Sequence, residues 1–435
     1  MTINRKAGTA GSLKAAKAIS LIWISSVLAA GLTFLVQAFS ARQLGPYQFG
    51  LFASSLATVT LLSPVAGFGV SQVWLKVFGR EKERGLRWIV PSLKFNALTI
   101  VTVTAILVAW ALLGPHDKTT VGILLVLSVH ASGQASLELV SSKFQIEERY
   151  FSLAAWQVFP SLLRLLALFV LVAVNWINAN SIAGIYALVA VLLFFYGNYQ
   201  ARQLVKGAAD ESDPSSPGDA KIFVGSVAEE AWPFGLAALF NMIYSQIAVV
   251  LVKYMVGNGE AGIYNIAYTV LLATYLLPGA IFQKYLVAKI HRWDADNPEM
   301  LRRVFRKGNL IMSLMGFLIM LLIVGTSWLF VPLVFGAEYR EAVLYLNVLS
   351  ISIPFMFVAF SAGSILVSGK NMQTKVKLMG GVAVLNVILN LTAIPRYGAL
   401  GASIASVVSN FVLMVLYFFY AKNAIEARCS SFSKI

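Results

Sequence analysis

Apolar residues run through this chain in blocks separated by short polar stretches. Each block is at least about the 20 residues that an α-helix needs to cross the hydrocarbon core of a bilayer. Twelve such helices are predicted, over 18–40, 47–75, 89–113, 119–141, 151–174, 181–201, 232–256, 259–283, 309–335, 342–368, 376–394 and 397–421. Several exceed the minimum length, which predicts tilting or kinking. Pro64, Pro278 and Pro354 stand inside blocks as candidate kinks. The longest polar segment, 202–231, contains KGAADESDPSSPGDAK, and its Pro, Ser, Gly and acidic residues mark a flexible linker. The fold class that follows is an all-α polytopic membrane protein. A six-helix N-terminal lobe lies at 1–201 and a six-helix C-terminal lobe at 232–435.

Composition agrees: 58% of the 435 residues are hydrophobic and 12% charged, half the share of about 25% in soluble domains. The formal charge of +15 would suit a nucleic-acid binder, but its placement excludes that reading. With the N-terminus inside, Arg42, Lys118, Arg340 and Arg396 fall in external loops and Lys94, Arg164 and Lys253 lie within spans; all other Lys and Arg lie on the cytoplasmic side, Lys377 at the cytoplasmic edge of its span. This excess of basic residues inside predicts a multi-pass membrane protein with both termini cytoplasmic. The basic face is expected to contact anionic lipid. The N-terminal MTINRKAGTAGSLKAAKA leads into a full-length span and reads as a retained first helix. One cysteine, Cys429, excludes an intrachain disulfide, and His116, His130 and His291 lie far apart. No metal and no cofactor is expected.

The two halves share features. ARQLGPYQFGLFASSLAT follows the first span and KYMVGNGEAGIYNIAYTV straddles the end of the seventh. Both carry Gly-x₄-Gly, at Gly45/Gly50 and Gly257/Gly262, then an aliphatic-aromatic pair (Leu51-Phe52, Ile263-Tyr264) and a later proline. LVSSK at 139–143 matches LVSGK at 366–370. A six-plus-six duplication is expected, as in many transporters. The stretches RQLGPYQFGLFA, AGIYNIAY, VFGAEYREA and IPRYGALGAS, in that order, resemble the Wzx-type polysaccharide flippases of the multidrug/oligosaccharidyl-lipid/polysaccharide (MOP) superfamily over nearly the whole chain. The resemblance implies two lobes around a central cavity that opens alternately to each side. It also implies the cargo, an oligosaccharide repeat unit on undecaprenyl pyrophosphate moved from the cytoplasmic to the periplasmic leaflet for surface polysaccharide synthesis. The implied partners are the lipid-linked oligosaccharide, the bilayer, a polysaccharide polymerase and other assembly proteins.

Such a cargo needs cations for its pyrophosphate and polar or aromatic side chains for its sugars. In the fourth span His130, Gln134 and Glu138 follow i, i+4, i+8 spacing and share one helix face. The fifth span carries Gln157 and Arg164. A cation at mid-membrane costs about 2.5–3.5 kcal/mol on insertion scales, so Arg164 requires a compensating partner. Counted from the cytoplasmic ends at 141 and 151, Arg164 lies 13 residues deep and His130 11. Glu138, read as the only acidic residue inside the spans, lies three deep, about 15 Å shallower than Arg164 at 1.5 Å per residue. Two readings stay open: neutralisation by a neighbouring group, or a guanidinium facing phosphate or a sugar carboxylate. His130 could also respond to protons. Lys94 and Lys253 sit near span ends and could snorkel to an interface. Asn241, Tyr244, Gln246, Asn386 and Asn390 are candidate sugar contacts, or polar residues joining helices. KIHRWDADNPEMLRRVFRKGN suggests a short amphipathic helix from about 298.

The nearest rival is a multidrug or organic cation antiporter of the same superfamily, which would favour carboxylates over the three basic residues found. FGREKERGLRW, with Glu83 at the aspartate position, is similar to a loop of major-facilitator transporters, a second rival. Short external loops and the lack of a nucleotide-binding motif argue against an enzyme or an ATP-driven pump.

Overall fold

The computed structural model describes residues 3–211, 222–279, 281–282, 298–367 and 371–432. The central part of the expected linker (212–221), most of the basic loop with His291 (283–297) and the end of LVSGK (368–370) lie outside the described residues. Among the described residues the elements are helices: α1 (Ile3–Gly67), α2 (Val70–Glu81), α3 (Ile89–Leu113), α4 (Lys118–Ile146), α5 (Tyr150–Ala173), α6 (Ala179–Glu211), α7 (Val224–Met255), α8 (Asn258–Pro278), α9 (Pro298–Phe335), α10 (Ala342–Ser350), α11 (Ser352–Ile365) and α12 (Asn371–Phe432). Short 3₁₀ turns follow α2 and α9.

Among the described residues eight stretches are long and apolar enough to cross a membrane, or nine if α10 and α11, bent by 44°, form one span. The twelve expected blocks do not appear as twelve separate helices. Ser20–Leu113 covers 94 residues and Met372–Cys429 covers 58, far more than the roughly 20 of one crossing. The breaks inside these stretches are small. Gly45 (φ 70, ψ 170) interrupts α1 and Gly398 (φ 58, ψ −142) interrupts α12, backbone states that glycine reaches without a Cβ penalty. Leu318, Leu322 and Phe195 are each more than 60% exposed. An apolar surface on such helices is what lipid solvates and water does not. The chain is a multi-pass helical membrane protein.

The prolines act unequally. Pro354 has no N–H to bond the Ser350 carbonyl four residues earlier, and the 44° bend falls there, between Ser350 and Ser352. Pro64 leaves α1 helical to Gly67; the chain turns at Phe68 (φ 34) and Gly69 (φ 77) instead. α6 runs to Glu211 and α7 starts at Val224, so both helices extend into the segment expected as linker. α9 begins at Pro298 and runs unbroken into its span, so the short amphipathic helix expected there is the first turns of α9.

Two compact units emerge, Met1–Val36 with Ser55–Met242, and Gln37–Ser54 with Ile243–Ile435. This division differs from the expected lobes: residues 37–54 of α1 pack with the second unit, and the boundary falls inside α7. In the first unit Val73, Trp74 and Val77 of α2 pack with Trp88, Phe95, Val227 and Ala231 in one buried cluster. The nearby Glu81 carboxylate accepts hydrogen bonds from Arg80 (2.5 Å), Arg87 (3.0 Å) and the Trp88 indole (3.2 Å). Asp117 caps α4 by accepting from the Thr119 and Thr120 amides.

In the second unit three of the four signature stretches meet. Gly50 and Gly262 face one another; a Cβ on Gly50 would overlap the Asn258 carbonyl oxygen and stand 2.9 Å from the Gly262 nitrogen. A Cβ on Gly262 would overlap the Pro46 carbonyl oxygen and stand 3.0 Å from the Gly50 nitrogen. Beside them the buried Tyr339 donates its hydroxyl to the Ala41 carbonyl (3.0 Å) and sets its ring edge-on to Phe49. Arg42 donates to the Leu333 carbonyl (2.8 Å).

Candidate functional site

The interior of the first unit answers the question raised by Arg164. The residue is 7% exposed, and no carboxylate pairs with it among the described residues. Its guanidinium carbon lies 4.3 Å from the ring centroid of Tyr186 on α6. A desolvated cation–π contact contributes about 2 kcal/mol, against the roughly 2.5–3.5 kcal/mol cost of a mid-membrane cation. The ring therefore offsets most of the cost. Nε and Nη2 of Arg164 are buried without a hydrogen-bond partner, leaving two donors of the planar fork uncommitted.

His130, 4% exposed, lies on the same aromatic ring, its own ring 5.8 Å from Tyr186. Its Nε2 is 3.1 Å from Gln134 Nε2 one turn along α4, and its Nδ1 has no hydrogen-bond partner. Arg164 and His130 are thus brought together by a residue that spacing alone did not select. Gln157 and Ser161 extend a polar stripe along α5 below Arg164. Ser25 and Ser26 of α1 donate to Gln157 Oε1 at 3.4 and 3.3 Å, and Thr33 shares a 2.8 Å hydrogen bond with Ser161. Glu138 is exposed, beside Gly67, and makes no ion pair with Arg164.

The remaining candidates divide by burial. Lys94 is exposed near the start of α3, where it can reach an interface. Lys253 is 9% exposed with Nζ 5.5 Å from the Tyr254 ring. Asn241 is exposed, and Gln246 half-buried. Tyr244 donates to the Met356 sulfur at 3.8 Å. Asn386 donates to Ser409 (3.0 Å), and Asn390 to the Asn386 carbonyl (2.8 Å) and side-chain oxygen (3.1 Å). Both asparagines are at most 1% exposed. Asn386 thus joins the two halves of α12, while Asn390 bonds within its own half and keeps an unpartnered Oδ1. Asn386→Leu is expected to lower stability by about 1 kcal/mol, the scale of an interhelical hydrogen bond in a membrane. Melting of the purified protein in detergent measures this, and an unshifted transition would contradict it.

Several residues at or near the site carry no signal in the spacing of polar positions. Tyr186 offers no polar periodicity to reveal it. Glu260 corrects the reading of Glu138 as the only acidic residue in the spans: it stands in the first turn of α8 and accepts from Tyr345 Oη (2.8 Å). Lys143 is 4% exposed, bonded to Gln200 and 3.5 Å from Glu147. The second unit is rich in buried tyrosine. Tyr264 stacks with Tyr268 (6.1 Å, 13°) and shares a hydrogen bond with Ser406, while Tyr275 shares one with Ser352.

Helices throughout the described residues, many of them apolar on their surface, define a polytopic membrane protein, here with a buried guanidinium on an interior aromatic ring. The chain matches the polysaccharide biosynthesis protein family over residues 15–287 and belongs to that family. It is 24% identical to a probable flippase, AglR, of Haloferax volcanii, over 91% of this chain and 81% of that protein. Among solved structures it resembles an inward-facing multidrug resistance MATE family transporter of the MOP superfamily, with a TM-score of 0.69 at 14% identity, over 92% of this chain and 96% of that one. It also resembles the lipid II flippase MurJ in an inward closed conformation, with a TM-score of 0.68 at 16% identity, over 92% and 87% of the two chains. The fold is that of the MOP transporters, and the major-facilitator reading of FGREKERGLRW falls away.

Proposed function

We propose that the protein flips lipid-linked oligosaccharide repeat units across the membrane for surface polysaccharide synthesis. The observation that carries the reading is Arg164, a buried guanidinium without a carboxylate partner, held on Tyr186 with Nε and Nη2 unbonded. Planar guanidinium binds phosphate through paired, charge-assisted hydrogen bonds. The cargo is undecaprenyl-pyrophosphate-linked glycan, moved from the cytoplasmic to the periplasmic leaflet of a bacterial inner membrane by alternating access, with both termini cytoplasmic. Arg164 receives the pyrophosphate, His130 and Gln134 flank it, and Gln157 continues the polar stripe. The family and the flippase named among the relatives support this reading. An organic cation would meet repulsion from Arg164, which weighs against multidrug efflux.

The test is a strain with the chromosomal copy deleted, in which the leaflet holding undecaprenyl-linked intermediates is determined and drug susceptibility is measured. A lipid-linked repeat unit accumulating on the cytoplasmic side is the expected result. Unchanged intermediates with new drug sensitivity would replace the proposal with efflux.

A further inference from the structure

Of the cavities away from Arg164, two stand in matching places, one in each unit. In the first unit, α3, α4 and α6 enclose about 470 Å³. In the second, α9 and the last turns of α12 enclose about 270 Å³. The sequence places their walls in one register. α3 carries Lys94-Phe95-Asn96 and α9 carries Lys307-Gly308-Asn309; α6 carries Phe194-Phe195-Tyr196 and α12 carries Phe418-Phe419-Tyr420. With these aligned, the lining residues Asn96 and Asn309 correspond, as do Phe194 and Phe418, Asn198 and Lys422, and Ala201 and Ile425.

Each cavity holds a buried amide with unmet hydrogen-bonding capacity. Asn309 is 7% exposed, and neither its Nδ2 nor its Oδ1 has a partner. Asn96 is equally buried, and its Oδ1 has none. Buried polar atoms nearly always find a partner in native proteins, so both amides have hydrogen-bonding capacity that a headgroup hydroxyl can fill. The rims are cationic. Arg302, Arg306 and Lys422 surround the second cavity, with Glu426 3.9 Å from Lys422; Arg202 and Lys206 border the first. The walls are apolar, with the Phe305 and Phe418 rings 5.2 Å apart in the second. Cationic rim, buried amide and apolar wall match the three parts of an anionic lipid: phosphate, headgroup hydroxyl and acyl chain. Both cavities lie at the helix ends where Lys and Arg concentrate, the side on which basic interhelical pockets take acidic headgroups.

We propose that each cavity binds one anionic phospholipid with a glycerol headgroup, its phosphate on the rim cations and its hydroxyls on Asn96 or Asn309. A choline headgroup lacks the hydroxyls and carries a positive charge that Arg302 and Arg306 repel. Free glycerol phosphate has the same polar chemistry without the chain that the apolar walls would hold.

The experiment is native mass spectrometry of the full-length protein in detergent, titrated separately with phosphatidylglycerol, phosphatidylcholine and glycerol phosphate. Wild type is expected to retain two phosphatidylglycerol molecules in preference to phosphatidylcholine. Each neutralised cation near a membrane surface lowers affinity for acidic lipid about fivefold. The Arg302→Gln/Arg306→Gln protein should therefore keep one tight lipid and bind the second about 25-fold more weakly. Arg202→Gln/Lys206→Gln should do the same at the other site. Arg303→Gln, an exposed cation on α9 outside the cavity, should keep both. Equal retention of phosphatidylcholine, wild-type lipid counts in the double variants, or an equal loss in Arg303→Gln would overturn the proposal. Glycerol phosphate binding as tightly as the lipid would overturn the lipid as its source.

Discussion

Arg164→Gln is expected to abolish export while leaving the protein in the membrane at wild-type amount or above. The substitution keeps most of the side-chain volume and removes the charge, which relieves the insertion cost of about 2.5–3.5 kcal/mol. Two unbonded donors, Nε and Nη2, are lost to the cargo. A hydrogen bond to a charged group contributes about 1.5–3 kcal/mol, so a cargo phosphate that engages both loses about 3–6 kcal/mol. At 1.36 kcal/mol per tenfold in rate, that is a fall of roughly 10²–10⁴. Arg164→Lys should restore little, since an ammonium offers no planar face to Tyr186 and no fork to phosphate. Tyr186→Phe keeps the ring beneath the guanidinium and should transport almost normally; Tyr186→Leu removes it and should not. The measurements are cytoplasmic-leaflet build-up of lipid-linked intermediate and protein level in the membrane fraction. Normal export by Arg164→Gln removes this residue from the mechanism, and loss of the protein from the membrane makes its role structural.

Gly50→Ala is expected to be the most destabilising single-methyl change in the second unit. The added Cβ overlaps the Asn258 carbonyl oxygen, a backbone atom that cannot turn aside as a side chain can. Overpacking costs about 1–3 kcal/mol where neighbours adjust, and about 3 kcal/mol or more is expected where backbone must shift. Gly262→Ala should behave alike, since its Cβ overlaps the Pro46 carbonyl oxygen. The two sites share one contact, so the double variant should lose less than the sum of the singles. Gly79 and Gly381 are helical glycines with nothing within 4 Å of an added Cβ, where alanine should gain up to about 1 kcal/mol through helix propensity. Detergent melting curves of the five variants decide the matter. Gly50→Ala melting with wild type would show that the close approach of Gly50 and Gly262 is not a structural requirement.

That contact explains why the family signature is legible in the sequence. RQLGPYQFGLFA, AGIYNIAY and VFGAEYREA each contribute a glycine or aromatic to one packed cluster, through Gly50, Gly262 and Tyr339. Tight backbone packing admits few residue types, so it leaves a readable pattern. The signature reports the scaffold. Cargo chemistry leaves a fainter trace, because a lone Arg or His in an apolar run identifies itself but not its neighbours.

By itself the sequence determined the membrane setting, the helical class and the presence of an interior cation, since block length, hydropathy and charge placement are local quantities and a bilayer imposes them on each segment separately. Spacing also brought His130 and Arg164 to one depth. Only the tertiary structure decided what stands against Arg164: Tyr186, 22 residues further on and on another helix, with no carboxylate paired to it among the described residues. It decided that residues 37–54 pack with the second unit and that Asn386 fastens one half of α12 to the other. Each of these depends on which helix faces form neighbours, and that is settled by packing among distant segments, which hydropathy and periodicity do not encode.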